Sequence, residues 1–199
     1  MATARAVASS RDLRKAARRG RLLGAALRLF SERGYHDTTV DEVVAAARTS
    51  KSAFYEHFES KEDCFRVLLA AEGGDLIQAV VDAAGGGSGP RERMRRGIDA
   101  FVRTCASRSP VARLVLVESV GVSPAIEAVR HEIQGRFAAM VESEVQHAAG
   151  SDDFYAAVDP IVYGRAVVGA VNEATGYFLT HAEGDPTAVS EGLCRIFAP

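Results

Sequence analysis

The sequence predicts an all-α protein of about nine helices. Three observations carry that expectation. Each regular apolar pattern repeats at helical spacing, and none alternates as a strand would. Helix-start signals recur along the chain, at Thr39, Ser50, Ser60, Ser123, Asp159 and Asp185, with proline directly after the last three. No run of about 18 apolar residues occurs, so nothing is expected to span a membrane.

The first helix is expected over residues 10–33, where Leu22, Leu23, Ala26, Leu27, Leu29 and Phe30 form one broad face and Gly34 supplies the stop. Thr39-Val-Asp-Glu42 has the form of a capping box, and Val40, Val43, Val44 and Ala47 then follow at the spacing of a two-turn helix. Ser50 opens a short third helix: small and polar in front, with Phe54, Tyr55, His57 and Phe58 behind. Ser60 and Asp63 start a fourth that carries Phe65, Leu68, Leu69, Leu76 and Val80 to about Ala84. Within it Gly73-Gly74, at about 1 kcal/mol per glycine relative to alanine, predicts a kink.

The stretch GGGSGP at 85–90 reads as a flexible loop. After it, Met94, Ile98, Phe101, Val102 and Cys105 line one helix face, and VARLVLVESV at 111–120 is apolar nearly all round, as a buried helix would be. A helix from Pro124 turns Ile126, Ile133, Phe137 and Met140 inward; one from Pro160 runs to about His181; the last, from Pro186, carries Leu193, Ile196 and Phe197.

Charge divides the chain. Residues 1–61 hold 12 Lys/Arg against 7 Asp/Glu, a balance of +5, and residues 62–199 hold 12 against 19, a balance of −7. A basic front predicts an anionic partner at that end. The basic lead at 1–10 is expected to be disordered or solvated, with an arm into the DNA minor groove as the alternative. Cys64, Cys105 and Cys194 are odd in number and far apart, which suits a reducing cytoplasm rather than a disulfide framework. The N-terminus has charges without an apolar core for export, so a cytoplasmic protein is expected. Histidines 131, 147 and 181 lack ligand spacing, and no nucleophile motif is present. The expectation is no enzyme, no cofactor and no metal.

The short second and third helices, separated by little more than Arg48 and Thr49, have the economy of a helix-turn-helix whose second helix enters the major groove. Small residues at the front of that helix permit close approach to bases; Lys51 reaches a phosphate or guanine edge, and helix N-termini attract phosphates. Phe54 and Phe58 are expected to pin the helix to its neighbours. The DNA-contacting set is therefore Thr39, Arg48, Ser50, Lys51, Ser52, Tyr55, His57 and Lys61.

The run AALRLFSERGYHDTTVDEVVAAARTSKSAFYEHFESKEDCF, with Phe-Tyr-x-His-Phe-x-x-Lys-Glu at 54–62, resembles the DNA-binding domain of the tetracycline-repressor (TetR) family over about 50 residues. The resemblance implies a homodimeric regulator, most often a repressor, that binds a double-stranded pseudo-palindromic operator and is released by a small-molecule effector in its C-terminal helices. The chain departs from the family pattern in two places: Arg48 stands where glycine is usual, and Ser52-Ala53 where Gly-Thr is common.

The domains are expected at 1–62 (DNA-binding) and 63–199 (ligand-binding and dimerisation). Phe101, Glu118, Phe137, Met140, Tyr163, Asn172 and Tyr177 are the candidate ligand pocket, combining bulk or polarity with apolar helices. Gly164, Val168, Val171, Thr175, Leu193 and Phe197 are the candidate dimer face, as half of a four-helix bundle. The alternative is a helical small-molecule sensor with weak or atypical DNA binding.

Overall fold

The computed structural model describes residues 10–181 and 185–199. Of the basic lead at 1–10, with the minor-groove arm considered for it, residues 1–9 lie outside them and Ser10 opens the first helix. Among the described residues there are ten α-helices and no strand. They fall into two compact units, one up to Leu68 and one from Leu69 onward. No helix among the described residues is long and apolar enough to cross a membrane.

The first unit is α1 (Ser10–Arg33), α2 (Val40–Ala46), α3 (Lys51–Tyr55) and the opening of α4 (Lys61–Ala84). Gly34 ends α1 in the left-handed region (φ 86), its N–H donating to the Phe30 carbonyl at 3.0 Å. The capping box forms in full: the Glu42 N–H donates to the Thr39 hydroxyl, and the Thr39 N–H donates to the Glu42 carboxylate at 2.9 Å. A five-residue helix cannot hold itself in water. What holds α3 is the Ser50 cap, which accepts from the Ala53 N–H, and the burial of Phe54 and Phe58 with rings 5.3 Å apart. Phe30 and Phe65 meet edge-on at 5.0 Å and complete this core.

The second unit holds the remainder of α4, then α5 (Pro90–Ser107), α6 (Ser109–Arg113), α7 (Pro124–Ala148), α8 (Asp153–Ala156), α9 (Pro160–Thr180) and α10 (Pro186–Phe197). Ser123, Asp159 and Asp185 cap their helices with proline in the first turn, as their sequence signals require. Helix α4 runs unbroken through Gly73-Gly74, and Gly73 makes room for the side chain of Ile133 on α7, which an added Cβ would overlap. Gly164 does the same between α9 and α7: a Cβ there would lie 2.9 Å from the Ala138 carbonyl oxygen.

The apolar stretch after α6 becomes a π-helical segment, Leu114–Glu118, with Leu114 and Val115 buried. Helix α8 is a single turn capped by Asp152, too short to give a periodic signal. Arg91 grips Asp152 with two hydrogen bonds, at 2.6 and 2.9 Å, and donates to the Pro199 carbonyl, tying the chain end to α5.

Candidate nucleic-acid interface and ligand cavity

In the first unit the segment from α2 to α3 turns its polar residues outward. Thr39, Arg48, Ser50, Lys51, Ser52 and Tyr55 are all exposed. Two hydroxyls are already employed locally, Thr39 in its capping box and Ser50 as the α3 cap, so their DNA-facing capacity is what remains beyond those bonds. Lys51 pairs with Asp41 at 3.1 Å between two exposed side chains. An exposed pair of this kind contributes about 0–1 kcal/mol and yields readily to a phosphate. Arg48 takes φ 51, the only non-glycine with positive φ among the described residues. Ala53, where the family commonly has threonine, is 5% exposed and its N–H donates to the Ser50 hydroxyl.

Two expected DNA contacts point inward. The Lys61 ammonium donates to the carbonyls of Tyr35 (2.7 Å) and Thr38 (2.9 Å) and lies 4.2 Å from the centre of the Tyr35 ring. It ties the start of α4 to the turn that delivers α2, a role with no sequence signal beyond the lysine itself. His57 is half-buried with its Nε2 unpartnered. Burial, then the nearby Lys15, Arg18 and Arg19 charges, push its pKa below the usual histidine value, while Glu56 acts the other way. The neutral ring is favoured.

The second unit contains an apolar cavity of about 130 Å³ among α4, α5, α7 and α9. Of the expected pocket residues, Phe101, Phe137, Met140 and Asn172 line it, with the Phe101 and Phe137 rings edge-on at 5.5 Å. Tyr163, Glu118 and Tyr177 do not. Tyr163 is buried against Tyr155 and Phe197, and its hydroxyl donates to the Phe197 carbonyl. Glu118 closes the π-helical segment 3.5 Å from Arg113. Tyr177 is 62% exposed and stacks on His181.

The lining that sequence reasoning missed is chiefly Arg93 and Glu144, paired at 2.8 Å across α5 and α7. Nothing in either helix's periodicity marks them. A wider groove of about 760 Å³ lies between the π-helical segment, α7 and α9; it shares Val168 and Asn172 with the cavity, and the expected pocket residue Tyr177 lines it.

Most of the expected dimer face belongs to the monomer's own core. Gly164, Val171, Thr175 and Leu193 are buried, Val168 and Phe197 half-buried. The small-residue spacing that suggested a partner helix reflects the close passage of α9 over α7. Exposed instead are Ile161 (59%) and Val162 (67%) on α9 and Ile196 (64%) on α10. All three cysteines are buried, and burial pushes Cys64 and Cys105 up to about 12, which leaves protonated, unreactive thiols at neutral pH.

Residues 22–68 match the family described as "Bacterial regulatory proteins, tetR family", and residues 87–197, more than half the chain, match "Tetracyclin repressor-like, C-terminal domain". The chain belongs to the TetR family. This TetR-family chain is 32% identical over 111 residues to the HTH-type transcriptional activator FasR of Mycolicibacterium smegmatis, a match covering 56% of the chain and 51% of FasR. It thus spans about half the length of that relative.

Its fold is that of the Bacillus subtilis transcriptional regulator FadR, solved in complex with stearoyl-CoA (TM-score 0.80, 16% identity, 90% of this chain and 97% of that one). AibR, solved with isovaleryl coenzyme A and operator DNA, is similar at a TM-score of 0.76, with 21% identity over 92% of this chain and 98% of the other. In this TetR-family chain the exposed α2–α3 segment and the apolar cavity belong to separate units. Helix α4 contributes Lys61 to the first and Val80 and Ala84 to the cavity of the second.

Proposed function

We propose that this chain is a dimeric repressor whose first unit binds a pseudo-palindromic operator and whose affinity for it is lowered by an acyl thioester held in the second. The observation that carries the DNA reading is the division of labour in α3: Phe54 and Phe58 are buried while Ser50, Lys51, Ser52 and Tyr55 are exposed beside Arg48. Small side chains at the front and apolar anchors at the back let a recognition helix approach base edges without losing its seat. The DNA-binding part is taken to extend through the opening of α4 to Leu68, where the compact unit ends.

An apolar cavity with a few polar groups suits an effector with an apolar end, and the acyl-CoA complexes of FadR and AibR support a thioester. Dimerisation is assigned to the outward faces of α9 and α10 that carry Ile161, Val162 and Ile196, large apolar groups otherwise left in water.

The test is selection of bound duplexes from random DNA, followed by titration of the selected duplex at several salt concentrations and with added acyl thioesters. A palindromic consensus, a steep salt dependence and release by a thioester are expected. Val162→Glu with Ile196→Glu is expected to give monomers on sizing. A second reading, a small-molecule sensor with weak or atypical DNA binding, draws on the departures at Arg48, held at φ 51, and at Ala53. Binding that ignores duplex sequence would favour it.

A further inference from the structure

We infer that the inner cavity and the outer groove are two compartments of one effector site, joined at Val168 and Asn172, and that the site takes a short-chain acyl thioester. The inference rests on the proposed acyl-thioester reading and adds where each part of the molecule goes and how long its chain is.

The two compartments differ in chemistry. Around the cavity the walls are mainly aliphatic and aromatic, and its charged groups, Arg93 and Glu144, neutralise each other. Its volume of about 130 Å³ is close to that of a dry apolar cavity that admits one benzene, so it holds about six carbon atoms and not a long fatty chain. The groove is several times larger, at about 760 Å³, and sets polar groups among apolar ones: Arg130 (paired with Glu127), Gln134, Arg165 (near Glu142), Glu173 and His181 share its wall with Val115, Val117 and Val120. That lining suits an extended arm bearing hydrogen-bonding groups and negative charge.

Val168 and Asn172 lie one turn apart on α9, and both belong to both walls. An acyl group in the cavity places its carbonyl beside the Asn172 amide, which can donate to it, and sends the remainder of the molecule past Val168 into the groove. A free fatty acid fills the first compartment only, and the nucleotide-bearing thiol the second only.

The inference is tested on the full chain by calorimetric titration with butyryl-, hexanoyl- and palmitoyl-CoA, and with free coenzyme A and hexanoate. Hexanoyl-CoA is expected to bind at least about tenfold tighter than palmitoyl-CoA and than either fragment. Asn172→Ala is expected to weaken hexanoyl-CoA about five- to tenfold, the loss of one neutral hydrogen bond. Val168→Phe, which fills the join, is expected to abolish thioester binding while the variant still binds the selected duplex, which shows that it folds. Equal or tighter binding of palmitoyl-CoA, or affinities that Val168→Phe leaves unchanged, overturns the inference and leaves the acyl effector standing. If no thioester of any length binds while duplex binding persists, the acyl-effector reading falls and this inference falls with it.

Discussion

Replacing Lys61 by methionine separates two roles that the family resemblance and the structure give to the same side chain. Methionine keeps the apolar stem and deletes the ammonium. The lost contacts are two short hydrogen bonds, to Tyr35 O at 2.7 Å and Thr38 O at 2.9 Å, and the approach to the Tyr35 ring at 4.2 Å. A hydrogen bond to a charged group contributes about 1.5–3 kcal/mol when fully buried. Lys61 is only half-buried, so water replaces part of each bond and the combined loss is about 1–2 kcal/mol. For a chain of this length that lowers Tm by about 2–4 °C per kcal/mol. Were the ammonium on a phosphate, its removal would instead flatten the dependence of log affinity on log salt by about 0.9 per head. Calorimetric melting together with anisotropy titrations of a selected duplex at several salt concentrations reads both quantities. The structure predicts a lower Tm and an unchanged salt slope. An unchanged Tm with a slope reduced by about 0.9 per head would refute it.

Three further outcomes follow from the same geometry. His57 has its pKa held below the ordinary 6.5, so the stability it confers is present above that pH and is lost as pH falls through the folded-state value. Melting curves of the wild type and of His57→Gln across that window are expected to diverge, with the variant flatter. Arg48→Gly removes a left-handed strain of about 1–2 kcal/mol but adds unfolded-state freedom of about 0.5–1 kcal/mol, for a net change between about 0 and 1.5 kcal/mol, stabilising, in denaturant melts. Gly164→Ala places a Cβ 2.9 Å from the Ala138 carbonyl oxygen, a backbone atom that cannot step aside; a loss of about 1–3 kcal/mol is expected, with the dimer intact by sizing because the residue faces α7.

Much of the fold was legible because its helices announce their own starts. Ser123, Asp159 and Asp185, each followed by proline, fix three helices almost to the residue. The short elements were not legible: α8 offers one turn and no period, and the Leu114–Glu118 segment changes its hydrogen-bond step without changing its composition.

Exposure at the head was readable from small polar side chains ahead of aromatics, whereas the inward turn of Lys61 depends on carbonyls delivered by a loop some 25 residues earlier in the chain. The α9 residues misread as a dimer face show a general ambiguity. Glycine spaced among valines permits close approach of another helix, and nothing in one sequence says whether that helix belongs to the same chain. Arg93 and Glu144 escaped notice for the same reason, since their pairing is made only across α5 and α7.

The size of the cavity also limits what an acyl group alone can accomplish. Burying about six carbons at about 0.8 kcal/mol each yields at most about 5 kcal/mol of binding. Moving a regulator from almost fully DNA-competent to almost fully released requires about 5.5 kcal/mol of difference between the two states, and affinity common to both states contributes nothing to that difference. A rigid apolar cavity is a poor source of difference, because its contacts are made whenever its walls are closed. The groove adds contacts of another kind: the π-helical segment forms part of its wall and none of the cavity's, so a tail bound there engages an element that the acyl group does not reach. Acyl length should therefore govern how tightly an effector binds, and the polar arm whether DNA is let go. Saturating hexanoate is expected to occupy the cavity, raising Tm, while leaving a selected duplex bound; hexanoyl-CoA at saturation is expected to release it. Equal release by the two, measured by anisotropy of labelled duplex, would place the switch in the cavity walls and refute the division.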